Sequence, residues 1–234
     1  MESHLQTISA LRNESKGRLA ASWITFDDGH ASQRRHALPL LQKYGVKAIF
    51  FSIVGWVDQR PDCMTSTQLR ELVSLGHEVQ SHGWSHCMLT RYADTELRHE
   101  LGDSREKLQD KLGSAVNAIS IPFGRWDNRV LKACLLAGYN RIYTSDPSPA
   151  SWYSDEVEVL GRFMVRRSTT AHQLERLVVA KGNALRLLCA VHGCKRLVRS
   201  AVGESLYHRL WGILASRKSL DEVRSEYETQ PGPR

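Results

Sequence analysis

No run of apolar residues in this 234-residue chain approaches the roughly 20 that a membrane-spanning helix needs. The longest, AIFFSIVGWV at 48–57, is the size of one strand and a loop. The opening stretch MESHLQTISALRNESKGRLA lacks the apolar core of a secretory signal, so the chain is expected in the cytoplasm. A disulfide framework is also missing. Five cysteines, Cys63, Cys87, Cys134, Cys189 and Cys194, are odd in number and scattered, which fits the reduced thiols of a cytosolic protein. Cys189 and Cys194 flank His192, but a structural zinc takes four ligands and no second pair answers them. Repeats and low-complexity linkers are absent too, and 41% hydrophobic with 24% charged residues excludes a disordered chain.

Acids are scarce over one stretch. Between Arg162 and Lys218 the only ones are Glu175 and Glu204 among many arginines and lysines, which accounts for the net charge of +7. A basic segment attached to a balanced first half suits an anionic membrane surface or an acidic substrate as well as a nucleic acid, and no nucleic-acid partner is expected.

What the chain does have, from residue 22 to about 165, is an alternation of β-rich runs with helical patterns, the mark of βα units and a parallel sheet. The strand candidates are SWITF, KAIFFSIV, HEVQS, NAISIPF, RIYTS and VLGRFMV. Between them, ASQRRHALPLLQKYG puts Leu38, Leu41 and Tyr44 on one helical face, with Gly45 as the stop. TSTQLRELVSLG opens with Thr65 and Gln68 in capping-box spacing and closes on Gly76. ADTELRHELGDSREKLQDKLG reads as one long polar helix, and DNRVLKACLLAGY starts at an N-cap, Asp127.

The polar residues that can do chemistry follow successive strands. Asp27 and Asp28 end the first, His82 and His86 follow the third, and PFG at 122–124 ends the fourth. In a parallel sheet or barrel those strand ends share one face, where active sites are built. Adjacent residues of a strand point to opposite faces, so one of the two aspartates must turn inward. Two imidazoles and one carboxylate make a facial site that leaves positions open to water and substrate. Such a donor set suits zinc, and also iron or cobalt. Asp28 is then a ligand, and Asp27 lies where a carboxylate can act as general base on activated water.

TFDDG, SHGWSH and PFG resemble, in that order, the first three motifs of the NodB-homology polysaccharide deacetylases, carbohydrate esterase family four. The resemblance covers residues 20–165. It implies an α/β fold, a distorted (β/α) barrel of the NodB-homology type, carrying a metal-dependent enzyme that removes acetyl groups from sugars. By matching position it implies Asp27 as catalytic base, with Asp28, His82 and His86 holding one divalent metal. Zinc stands first, with cobalt, nickel, iron or manganese as alternatives. The backbone N–H of Phe123, where the family often has tyrosine, would help form an oxyanion hole. Trp84, Pro122 and Phe123 would meet the sugar.

Two departures stand out. The family's third motif opens with an arginine that orients the base, and this chain has Ser120 there. Arg162, in the last strand candidate, is the expected substitute. The late Leu-x-His motif that supplies a general acid has no counterpart, since His172 falls in a helical pattern and His192 in the basic segment.

The expected organisation is a deacetylase domain over 1–181 and a basic helical C-terminal extension over 182–234. The expected substrate is an N-acetylated sugar, in an intracellular or lipid-linked intermediate of surface polysaccharide or lipopolysaccharide synthesis. The basic helices would then hold the enzyme at the inner face of an anionic membrane. The competing readings are a metal-dependent amidohydrolase acting on a non-sugar amide, and a homologue that keeps the metal but has lost turnover.

Overall fold

The computed structural model describes residues 24–148, 151–166, 168–178, 189–190 and 193–194. The N-terminal stretch and most of the basic extension, including His192 and the expected boundary near 181, lie outside them. Of the two compact units into which the chain divides, 1–185 and 186–234, the first carries the sheet and its helices.

Its sheet has seven strands. These are β1 (Ile24–Phe26), β2 (Ala48–Ser52), β3 (Glu78–Ser81), β4 (Ala118–Ser120), β5 (Arg141–Tyr143), β6 (Ser151–Ser154) and β7 (Val157–Leu160). The order is β1-β2-β3-β4-β5-β7-β6. All neighbours are parallel except the β6–β7 pair at the edge. The sheet curls into a half-barrel, as expected of a distorted (β/α) barrel. The helices are α1 (Leu38–Lys43), α2 (Ser66–Ser74), α3 (Asp94–Arg98), α4 (Ser104–Leu112), α5 (Asn128–Leu136) and α6 (Ala171–Val178). The capping box of α2 forms as expected, with Thr65 Oγ1 accepting from Gln68 N and Gln68 Oε1 from Thr65 N. Asp127 likewise caps α5 through Val130 N at 2.8 Å.

Strand alternation divides the core. Ala48 and Phe50 of β2, Val79 of β3, Ile119 of β4 and Ile142 of β5 pack with Leu38, Leu41, Leu69, Leu72, Leu97, Leu101, Leu108 and Val130 from the helices. The opposite, inner face carries Ile49, Phe51, Ala118 and Tyr143, with Leu160 against them. Every residue of β2 is buried, as the uninterrupted apolar run AIFF requires of a strand covered on both sides.

Two local expectations are corrected and one strand is added. VLGRFMV is not a strand throughout, because β7 ends at Leu160 and Arg162 stands just beyond it. The 93–113 helix is interrupted by a wide, π-type turn at His99–Asp103. The edge strand β6 carries SWYS, too short and too polar to announce itself.

Candidate metal centre and its neighbouring base

The inner-face alternation carries straight into the site. Thr25 pairs with Ile49, so Thr25 faces inward and Asp27, two residues on, does the same. Gln80 precedes His82, Ala118 precedes Ser120, and Leu160 precedes Arg162 by the same interval. Asp27, His82, Ser120 and Arg162 therefore leave four different strands on one face at their C-terminal ends.

Asp28 comes after the strand has turned, at φ 75°. Its Oδ1 lies 3.4 Å from Nε2 of both His82 and His86. The three ligand atoms fall within 4.8 Å of one another. His82 is 2% exposed, whereas Asp28 is half-exposed, which leaves the cluster open on one side. His82 Nδ1 lies 2.8 Å from the Ser120 carbonyl. A carbonyl only accepts, so Nδ1 carries a proton, which leaves Nε2 as the ring nitrogen able to face a cation. His86 is flanked by Phe123, with ring centroids 4.6 Å apart, and by Trp56 at 5.9 Å.

Five non-glycine residues have positive φ among the described residues, and three of them, Asp28, His86 and Phe123, sit here. That conformation is unfavourable for L-residues by about 1–2 kcal/mol each. Its concentration around the cluster means the fold imposes this geometry against local preference.

Asp27 is held from both sides. Arg162 Nη1 donates to its Oδ1 at 2.8 Å and Nη2 to its Oδ2 at 2.9 Å, a two-pronged pair. Ser120 Oγ adds a bond to Oδ2 at 3.1 Å and itself accepts from Arg162 Nη2 at 2.7 Å. The guanidinium is fixed in turn by Thr25 Oγ1 and the Thr144 carbonyl. Arg162 thus bridges β1 and the segment after β7, which are not paired as strands. The Asp27 carbonyl accepts from Gln33 Nε2.

These surroundings set the charges. Burial raises the Asp27 carboxyl, but the charges of His82 and Arg162 and the bonds from Arg162 and Ser120 outweigh it and hold it below the usual carboxylate range. Burial also raises Asp28, and the His82 hydrogen bond with the charges of both histidines overcomes it, against repulsion from Asp27. His86 is pushed down to about 4 by burial and by His82, with Asp28 and Asp27 opposing. The ionised Asp28 with the two imidazoles, of which His86 resists protonation, makes a donor set fit for a divalent cation, and the ionised Asp27 lies beside it.

The other expected residues are placed as follows. Pro122 is buried, beneath the Gly83 turn. The Trp84 ring stacks on His99 with centroids 4.5 Å apart and lies against Gly55. His172, exposed on α6, pairs with Glu175. Two residues with structural parts here, Ser120 on Asp27 and Glu100 on the 84–85 amides, carry no motif of their own in the sequence. Glu100 was detectable as a charge interrupting the apolar stripe Leu97–Leu101–Leu108.

The family model for polysaccharide deacetylases matches residues 15–142, and the chain belongs to that family. It is 32% identical over 128 residues to YxkH of Bacillus subtilis (strain 168), covering 55% of this chain and 46% of that protein. To the peptidoglycan-N-acetylglucosamine deacetylase PgdA of Listeria monocytogenes (strain 10403S) it is 31% identical over 108 residues, 46% of this chain and 22% of PgdA. The chain thus spans less than half the length of these relatives. The deacetylase PplD of Streptococcus pyogenes, solved in complex with acetate, shares the fold with a TM-score of 0.67 at 22% identity, over 76% of this chain and 84% of PplD.

Proposed function

We propose that this chain is a metal-dependent deacetylase that hydrolyses the acetamide of an N-acetylated sugar. Asp28, His82 and His86 hold the metal and Asp27 is the general base. The observation that carries the reading is the union of two arrangements on one inner face: a three-ligand cluster open on one side, and a carboxylate beside it locked by Arg162. When bound, a divalent cation, zinc first among the candidates, polarises the acetyl carbonyl and acidifies the attacking water.

The protein's own residues do the rest. Asp27 stays ionised at neutral pH because Arg162 and Ser120 stabilise its charge, so it can take a proton from water. The same bonds fix where its oxygens point, which is what a base needs in order to act on one water rather than on many. Phe123 is held at φ 58° with its ring beside His86, and its backbone N–H is the donor this reading assigns to the developing oxyanion. The positions of Pro122 and Trp84 suit shaping the wall behind the ligand loop.

The family, with PgdA acting on N-acetylglucosamine of peptidoglycan by its name, supports an N-acetylated sugar as substrate. The basic composition of 162–218 supports the finer reading of a lipid-linked intermediate met at an anionic membrane from the cytoplasmic side. No helix among the described residues is long and apolar enough to cross a membrane. The test is acetate release from free, nucleotide-linked and lipid-linked N-acetyl sugars with zinc added. Release from at least one class is expected. Acetate from none of them, with the metal demonstrably bound, rejects the reading.

A further inference from the structure

The helix after the ligand loop carries a buried carboxylate that the chemistry above does not use. Glu100 is 4% exposed and belongs to the wide turn His99–Asp103. Its Oε2 accepts the backbone N–H groups of Trp84 and Ser85, both at 3.1 Å, and its Oε1 accepts the Ser85 hydroxyl at 2.6 Å. All three donors lie between His82 and His86.

That span has reason to need a clamp. Gly83 and His86 both have positive φ, 76° and 60°, so the loop does not follow any regular path of its own. Its amides face a partly buried environment beside the buried Glu100, and an N–H left unpaired when buried costs about 1–3 kcal/mol. A wide turn inserts an extra residue into the helix and shifts the side chains that follow, a device frequent at functional sites. Here the turn brings Glu100 under the loop while Leu97, Leu101 and Leu108 remain in the core. The Trp84–His99 ring contact ties the loop to the same turn.

We infer that Glu100 is a positioning residue of the metal centre. It sets the separation and aim of His82 and His86 through the loop amides of Trp84 and Ser85. This rests on the metal-dependent reading above.

The test uses cobalt(II) as the probe metal, binding to the full chain below its melting temperature. Glu100→Ala is expected to weaken cobalt binding about 10–100-fold, the usual effect of losing a partner behind the ligands. It should alter the visible absorption of the bound ion and strip hydrogen-exchange protection from the Trp84 and Ser85 amides. Glu100→Gln should restore most of the affinity. Its carbonyl can accept the two backbone N–H groups, and its amide can donate to Ser85 Oγ. A folded Glu100→Ala protein with wild-type cobalt affinity and spectrum would overturn the inference, even if its melting temperature fell. Should that variant not fold, Ser85→Ala removes the shortest bond to Glu100, together with the longer Ser85 Oγ–Tyr92 Oη contact at 3.4 Å. Several-fold weaker cobalt binding with a shifted spectrum then supports the clamp, and unchanged values overturn it. A wild-type chain that binds no cobalt counts against the metal reading instead, and amide protection at Trp84 and Ser85 in the metal-free protein still decides the clamp.

Discussion

Asp27 and Asp28 are neighbours in sequence with opposite surroundings, and the proposed function gives them different work on that ground. Asp27 extends the inner face of β1 into the guanidinium of Arg162. Asp28, one residue later and in the left-handed conformation, reaches both histidines. Asp28→Asn should therefore weaken metal binding, since an amide offers the cation no charge. Asp27→Asn should keep the metal and slow turnover roughly 10²–10⁴-fold, the usual cost of a lost general base. Zinc titration alongside acetate release separates the two, and the reverse pattern would exchange the roles. Arg162→Lys should lower turnover while sparing metal, because an ammonium cannot bond both Asp27 oxygens in one plane. Equal activity in that variant would leave the two-pronged pair without a catalytic purpose.

Much of this was legible at the level of elements, and for a physical reason. A parallel sheet gathers its strand ends on one face, so the short runs ITF and EVQS, followed by DDG and HGWSH, and AIS, followed by IPFG, pointed to a shared site. Capping residues Thr65 and Asp127 were equally readable, because capping depends on neighbours three residues away. Arg162 was readable only through the expectation that a closing barrel returns its last strand beside the first; it comes after β7 has ended, and the curl of the sheet brings it to Asp27. One feature resisted. Glu100 depends on a wide turn inside a helix, and sequence periodicity treats such a helix as regular. The turn after β1 gives a prediction at this scale. Gly29 sits at φ 71°, and an added Cβ would stand 2.9 Å from Ser52 Oγ and 3.2 Å from its Cα on β2. Gly29→Ala should cost about 1–2 kcal/mol from the conformation alone. Denaturant melting should read the loss, and an unchanged midpoint would mean β1 and β2 can part without penalty.

At the scale of the whole molecule, the site's charges make stability depend on pH. A histidine in the unfolded chain takes up a proton near 6.5, whereas His86 in the fold resists it down to about 4. Between those values the unfolded state binds more protons, so stability of the metal-free protein should fall as pH drops through that window. Asp27 and Asp28, both held below their ordinary value of 3.8, extend the loss to still lower pH with the same sign. Melting temperature against pH should show the decline, and His86→Asn should flatten its upper part. A wild-type profile that stays level between pH 6.5 and 4 would contradict the burial of that imidazole.

The proposed function joins the two halves of the site: a metal held by Asp28, His82 and His86 would enable hydrolysis of an acetamide by water that Asp27 deprotonates. The most direct measurement is acetate release from N-acetylglucosamine oligomers by protein stripped with a chelator, followed as zinc is returned. Release should be absent from the stripped protein and should climb to a plateau near one zinc per chain. Undiminished release from metal-free protein would contradict the account.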